Sequence, residues 1–130
     1  GLTNTLALEG AKKGIRANTI APVAGSRLTE TILPKEVVEA LKPELVTPLV
    51  IRLCAEQSEE NGSLFEIGAG WVAKLRWERS RGALFDPGTE LTAEALEAAW
   101  DQIGDFTDAE HPATAQDTFA PVFANLGIKF

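Results

Sequence analysis

Several groups of residues in this chain have types and spacings that can do chemistry. Gly68-Ala69-Gly70-Trp71-Val72-Ala73 fits G-x-G-x-x-A and follows an apolar run at 63–67. In that pattern a glycine turn lets backbone approach a pyrophosphate at the N-terminus of the next helix. The chemistry requires the helix. Here Trp71, Ala73, Leu75 and Trp77 alternate with Val72, Lys74, Arg76 and Glu78, a period of two that predicts an extended segment or hairpin. The acidic residue expected about twenty positions on would be Glu90, but it lies beyond the turn Asp86-Pro87-Gly88. The glycines therefore read as a tight turn at a strand's end. The stretch NTIAPVAGSRLTET, residues 18–31, is a better candidate. A strand ends at Pro22 and a loop bearing Gly25, Ser26, Thr29 and Thr31 follows. Open α/β sheets bind ligands beyond the carboxyl ends of their strands. Free amides and hydroxyls in such a loop can hydrogen-bond a carboxamide or a phosphate. The basic run Lys74, Arg76, Arg79, Arg81 could meet a phosphate, with Glu78 and the acidic C-terminal portion as competing partners. His111 has no visible partner for a dyad and reads as a surface turn residue, while Cys54, in an apolar helical run, reads as a small core residue.

These residues need elements to position them. Residues 1–14 predict a helix with Leu2, Leu6 and Ala7 on one face and Gly14 as its stop. Residues 15–22 predict a strand ended by Pro22. Pro34 opens a helix carrying Val37, Val38 and Leu41, and residues 44–62 predict a second amphipathic helix with Pro48 near its start and a polar turn at Asn61-Gly62. Residues 63–70 predict a strand. Alternation of this kind marks an α/β fold with a parallel sheet, entered partway through. Beyond the extended segment, Thr92 caps a helix with the stripe Ala95, Leu96, Ala99, Trp100 and Ile103, and a weaker helix follows, interrupted at Pro121 and stopped at Gly127.

The chain has 130 residues, 45% of them hydrophobic, which suits one globular domain. No window is long and apolar enough to cross a membrane, and no secretory signal or peroxisomal S-K-L address is present. A single cysteine excludes an internal disulfide and offers no metal cluster. There is no methionine and no tyrosine, so residue 1 is expected not to be the true start of the fold. The net charge of −7 is uneven: residues 1–85 carry 11 Lys/Arg against 10 Asp/Glu, and residues 86–130 carry one against nine. The acidic portion repels phosphate backbones and argues against nucleic-acid binding.

The stretches LALEGAKKGIRANTIAPVAGSRLTETILPKEVVEALKPE and LCAEQSEENGSLFEIGAGWVAKLRWERSRGAL resemble the C-terminal half of a short-chain dehydrogenase/reductase domain. Within that family the likeness is to the (3R)-hydroxyacyl-CoA dehydrogenases of peroxisomal β-oxidation, and it extends through LTAEALEAAWDQIGDF and HPATAQDT. The resemblance implies the C-terminal part of a doubly wound, parallel-sheet Rossmann-type domain over residues 1–70. A C-terminal extension over 71–130, extended and then helical and acidic, would help shape a substrate cavity. It implies hydride transfer from a (3R)-3-hydroxyacyl-CoA to NAD, and a peroxisomal location. The family's catalytic tyrosine and lysine, its serine and its Gly-rich phosphate loop would lie upstream of Gly1, so no catalytic residue is carried over. The family's Pro-Gly-x-x-x-Thr segment meets the nicotinamide half of the cofactor. Here Pro22 matches it, Val23 stands at the usual glycine, and Thr29 is the best match for the threonine. Pro22, Val23, Ala24, Ser26 and Thr29 are thus the expected cofactor contacts. The 1–14 helix resembles one that pairs with its twin in homodimers, and the basic run is a candidate for a CoA phosphate. The alternative is a truncated, non-catalytic dimerisation or interaction module.

Overall fold

A computed structural model describes residues 1–128 of the chain, the side chain of residue 115 excepted. They divide into two compact units, one over residues 1–76 and the other from residue 77 onward.

The first unit is built on three strands, β1 (Thr19–Val23), β2 (Leu64–Gly68) and β3 (Trp71–Leu75), in the order β1-β2-β3. β1 and β2 run parallel, with Thr19 opposite Leu64 and Val23 opposite Gly68. Parallel neighbours need a crossover. It consists here of a 3-10 turn at Thr29–Thr31, helix α2 (Lys35–Ala40), a second 3-10 turn at Pro43–Leu45, and helix α3 (Thr47–Cys54). β3 returns antiparallel on the other side of β2, as the period-two pattern predicts. The α/β reading is borne out: a small sheet with helices, two of its strands parallel. Ile67, in the middle strand, is 2% exposed, and it shares near-complete burial with Ala7 and Leu41.

Helix α1 (Leu2–Ala11) leads into β1. Its inward face consists of small residues, Ala7 and Gly10, and a Cβ on Gly10 would stand 2.9 Å from that of Ile15. The expected face of Leu2, Leu6 and Ala7 therefore splits: Ala7 is buried, while Leu2 and Leu6 are exposed. Only small side chains fit where a helix lies this close to the following chain.

Two asparagines fasten the amino ends of the parallel strands. Asn61 accepts a hydrogen bond from the Ala17 amide at 2.9 Å and donates to the Ala7 carbonyl at 3.1 Å. Asn18 donates to the Glu60 carbonyl at 2.9 Å and accepts from the Ser63 amide at 3.1 Å. Buried backbone groups require partners, and here side-chain amides supply them where the ladder has not begun. The hydroxyls of Thr3 and Thr19 add a tie from α1 to β1.

Three expectations in this unit are corrected. Pro22 lies within β1 rather than after it; β1 is paired on one side only, and an edge strand tolerates a residue without an N–H. The helix expected over 44–62 is confined to Thr47–Cys54: Pro48 has no N–H to bond the carbonyl four residues back, so the chain before it forms a separate 3-10 turn, and Ala55 is already extended. Cys54 is exposed, not core; nothing in α3 is buried in this chain.

In the second unit Thr92 caps α4 (Ala93–Ala98) through its hydroxyl and the Ala95 amide, as expected, and α5 (Trp100–Ile103) follows after a break at Ala99. Trp100 is exposed and so falls outside the inward stripe. Helix α6 (Ala115–Asn125) begins with a reciprocal cap between Thr114 and Asp117 and runs through Pro121 without interruption. A proline inside a helix orphans the carbonyl four residues earlier, which is that of Asp117. The Arg79 guanidinium donates to this carbonyl and to that of Thr118, both at 3.2 Å, so the cost of the proline is offset by a long-range partner. No helix among the described residues is long and apolar enough to cross a membrane.

Candidate functional site

The carboxyl ends of β1 and β2 carry two chain reversals side by side, the loop after Val23 and the turn at Ala69-Gly70. In the turn both residues have positive φ, 48° at Ala69 and 84° at Gly70. That is the signature of a type I′ hairpin, whose twist matches that of the strands it joins. No helix follows, so the glycine motif has no helix N-terminus to offer an anion. Gly68 is needed for a different reason: a Cβ there would lie 2.9 Å from both the Cβ and the carbonyl oxygen of Val23. The valine at the root of the loop is accommodated because its neighbour has no side chain.

The loop organises itself around Thr29. The Thr29 hydroxyl accepts from the Ser26 amide at 2.7 Å and donates to the Ser26 carbonyl at 2.8 Å, and the Ser26 hydroxyl lies 3.3 Å from it. The Thr29 amide donates back to the Ser26 hydroxyl at 3.3 Å. Short hydroxyl side chains bond to nearby backbone in this way and hold turns. Pro22 and Val23 are exposed at the end of β1, Ser26 is exposed, and Ala24 and Thr29 are half-buried. The five residues expected from the sequence thus form one continuous feature, open to solvent on the sheet's carboxyl edge. What these five residues offer a ligand is backbone polarity and two hydroxyls already held in place; Arg27, exposed between Ser26 and Thr29, adds a cationic side chain to the loop.

The basic run spans both units, and three of its four members are paired with carboxylates within their own unit. Lys74 pairs with Glu60 at 2.7 Å. The Lys74 ammonium, and after it the Ser63 hydroxyl, hold the Glu60 carboxyl below the usual glutamate range. Arg79 and Arg81 both bind Glu110, at 2.6 and 2.8 Å, and the Arg79 hydrogen bond lowers that carboxyl too. His111 lies 3.4 Å from Glu78. Glu110 of the acidic C-terminal portion holds Arg79 and Arg81, as the sequence's competing reading allowed, whereas Lys74 is held by Glu60, which that reading did not name. Among the described residues no three His, Cys, Asp or Glu side chains gather as metal ligands would.

Sequence reasoning missed the supports of the loop. Gly25, placed only at a bend, donates its amide to the Leu41 carbonyl at 2.6 Å, and Leu41 is 7% exposed. No local signal links residues 16 positions apart; only the glycine itself hints at a close approach.

Comparison with known proteins bears on what such an edge does. Over 119 residues the chain is 57% identical to peroxisomal multifunctional enzyme type 2 of mouse, covering 91% of this chain. This chain is similar to one part of such an enzyme. It spans 16% of the mouse protein's length. The structure of the full-length enzyme of the same name from Drosophila melanogaster superposes with a TM-score of 0.83 at 34% identity, covering 98% of this chain and 23% of that one. A short chain dehydrogenase from Mycobacterium avium superposes with a TM-score of 0.58 at 27% identity, over 78% of this chain and 32% of that one. No family model matches the chain.

Proposed function

We propose that this chain is the nicotinamide-side portion of an NAD-dependent short-chain dehydrogenase that oxidises (3R)-3-hydroxyacyl-CoA in peroxisomal fatty-acid β-oxidation. The observation that carries the reading is the loop at 22–29. It leaves the carboxyl end of an outer strand of a parallel pair, in a chain 57% identical to part of a peroxisomal multifunctional enzyme. Ligands of open α/β sheets lie at such edges. The residues there can meet a carboxamide: Ser26 and Thr29 supply hydroxyls and backbone polarity, and Pro22 and Val23 supply an apolar lip, with the exposed Arg27 beside them. On this reading Pro22, Val23, Ala24, Ser26 and Thr29 hold and orient the nicotinamide half, which when bound supplies the hydride acceptor. The proton-transfer groups and the phosphate loop come from outside residues 1–130. The open side of β1 is where the rest of a doubly wound sheet would pair, since an unpaired edge strand is a template for another strand.

In a complete dehydrogenase carrying this segment, Thr29→Ala should raise the KM for NAD. The hydroxyl's net contribution is about 1 kcal/mol, or roughly fivefold. An unchanged KM sinks the role given to the loop. The outward Leu2 and Leu6, 76% and 49% exposed, support the second element of the proposal, a homodimer formed through α1. Leu2→Glu with Leu6→Glu should then convert dimer to monomer in equilibrium sedimentation.

A further inference from the structure

We propose that Gly25 is a positioning residue that fastens the helical segment at 29–41 onto the cofactor-side loop, so that the two hold one shape together. The proposal rests on the reading of that loop given above. Two kinds of contact meet at Gly25. Its amide donates to the Leu41 carbonyl at 2.6 Å. A Cβ at this position would lie 2.7 Å from the Val38 carbonyl oxygen, 3.2 Å from that of Leu41 and 3.3 Å from Val38 Cγ1. Gly25 is not among the residues of positive φ, so its backbone would accept any side chain. What excludes one is the last turn of α2, and the Val38 oxygen is backbone that cannot swing aside.

The Leu41 carbonyl belongs to the residue that ends α2, and its side chain is one of the few buried apolar groups of the chain. At the other end, residue 29 begins the 3-10 turn that leads into the helix, and its hydroxyl is bonded to Ser26. The chain from 25 to 41 is therefore closed at both ends, by Ser26 with Thr29 and by Gly25 with Leu41. A loop held in this way has less conformational freedom to lose when a ligand binds, which raises affinity without adding a contact. Gly25 touches no reacting atom; it acts through the residues on either side of it.

Hydrogen exchange on the chain without cofactor tests the fastening directly. The Gly25 amide should exchange at least tenfold more slowly than in an unstructured peptide; exchange at the unstructured rate overturns the proposal with no variant needed. Gly25→Ala should speed exchange across 29–41 several-fold while leaving β2 unchanged. Equal exchange in 29–41 also overturns it. In a complete dehydrogenase carrying this segment, G25A should raise the KM for NAD several-fold with kcat within about twofold. An unchanged KM beside a loosened 29–41 segment removes the positioning role. Loss of NAD binding by the unsubstituted enzyme would instead refute the reading of the loop, and with it the cofactor half of this proposal, while the exchange data still decide the fastening.

Discussion

Replacing Ala69 by asparagine should stabilise the first unit. Ala69 sits at φ 48° in a two-residue turn, followed by Gly70 at φ 84°. The left-handed region costs an L-residue about 1–2 kcal/mol. Asparagine tolerates that region better than alanine, and Asn-Gly is the favoured pair for a type I′ turn. Glycine would remove the strain entirely but would give back about 0.4–1 kcal/mol through the greater freedom of the unfolded chain. The expected gain is thus about 1 kcal/mol for Ala69→Asn and somewhat less for Ala69→Gly. For a cooperative unit of this size that is roughly 4–8 °C in Tm. Urea unfolding followed by tryptophan fluorescence suits the measurement, because Trp71 opens the strand beside the turn. Gly70→Ala is the counter-test and should cost about 1–2 kcal/mol. If Ala69→Asn destabilises, or Gly70→Ala is neutral, the turn is not the hairpin described. If Ala69→Asn left stability unchanged but weakened nucleotide binding, the phosphate-loop reading of these glycines would return.

Three further outcomes follow from packing and charge. Gly68→Ala should overpack against Val23 at a cost of about 1–3 kcal/mol, and Val23→Ala should recover part of it in a double-mutant cycle by equilibrium unfolding. Arg79→Ala should lower the melting temperature of the second unit, because it removes one of the two arginines on Glu110 and leaves the carbonyl opposite Pro121 unpaired; Pro121→Ala in the same background should restore part of the loss, and no recovery would refute that link. Glu110 is held below its ordinary 4.5 chiefly by the Arg79 hydrogen bond. A depressed carboxyl contributes stability above its unfolded-state value and loses it as pH falls through the lower folded value. Glu110→Gln should therefore flatten the acid limb of the stability curve below about pH 4.5, and an unchanged limb would remove the carboxylate from that role.

Element types and several ends were legible where a local rule suffices. Thr92 satisfies an early amide of its helix from three residues away, and Gly14, Gly62 and Gly127 mark reversals through their own positive φ. The period of two after Gly70 placed β3 without reference to anything distant. Where the outcome depended on a partner far along the chain, local reading misled: Pro121 reads as a helix stop until Arg79 is seen to satisfy the orphaned carbonyl. Cys54 reads as core because its neighbours are apolar, yet burial depends on what lies against α3, and periodicity carries no information about that.

The candidate site divides in the same way. Residue order alone determined that a strand would give way near Pro22 to a loop bearing Gly25 and Ser26, and that a second apolar strand would end in small residues, because both follow from backbone freedom and side-chain period. Tertiary structure alone decided the register of the two parallel strands, which brings Gly68 against Val23, and that Gly25 closes onto Leu41. Those contacts join residues 45 and 16 positions apart, and such approaches are chosen by the packing of whole elements rather than by the residues between them.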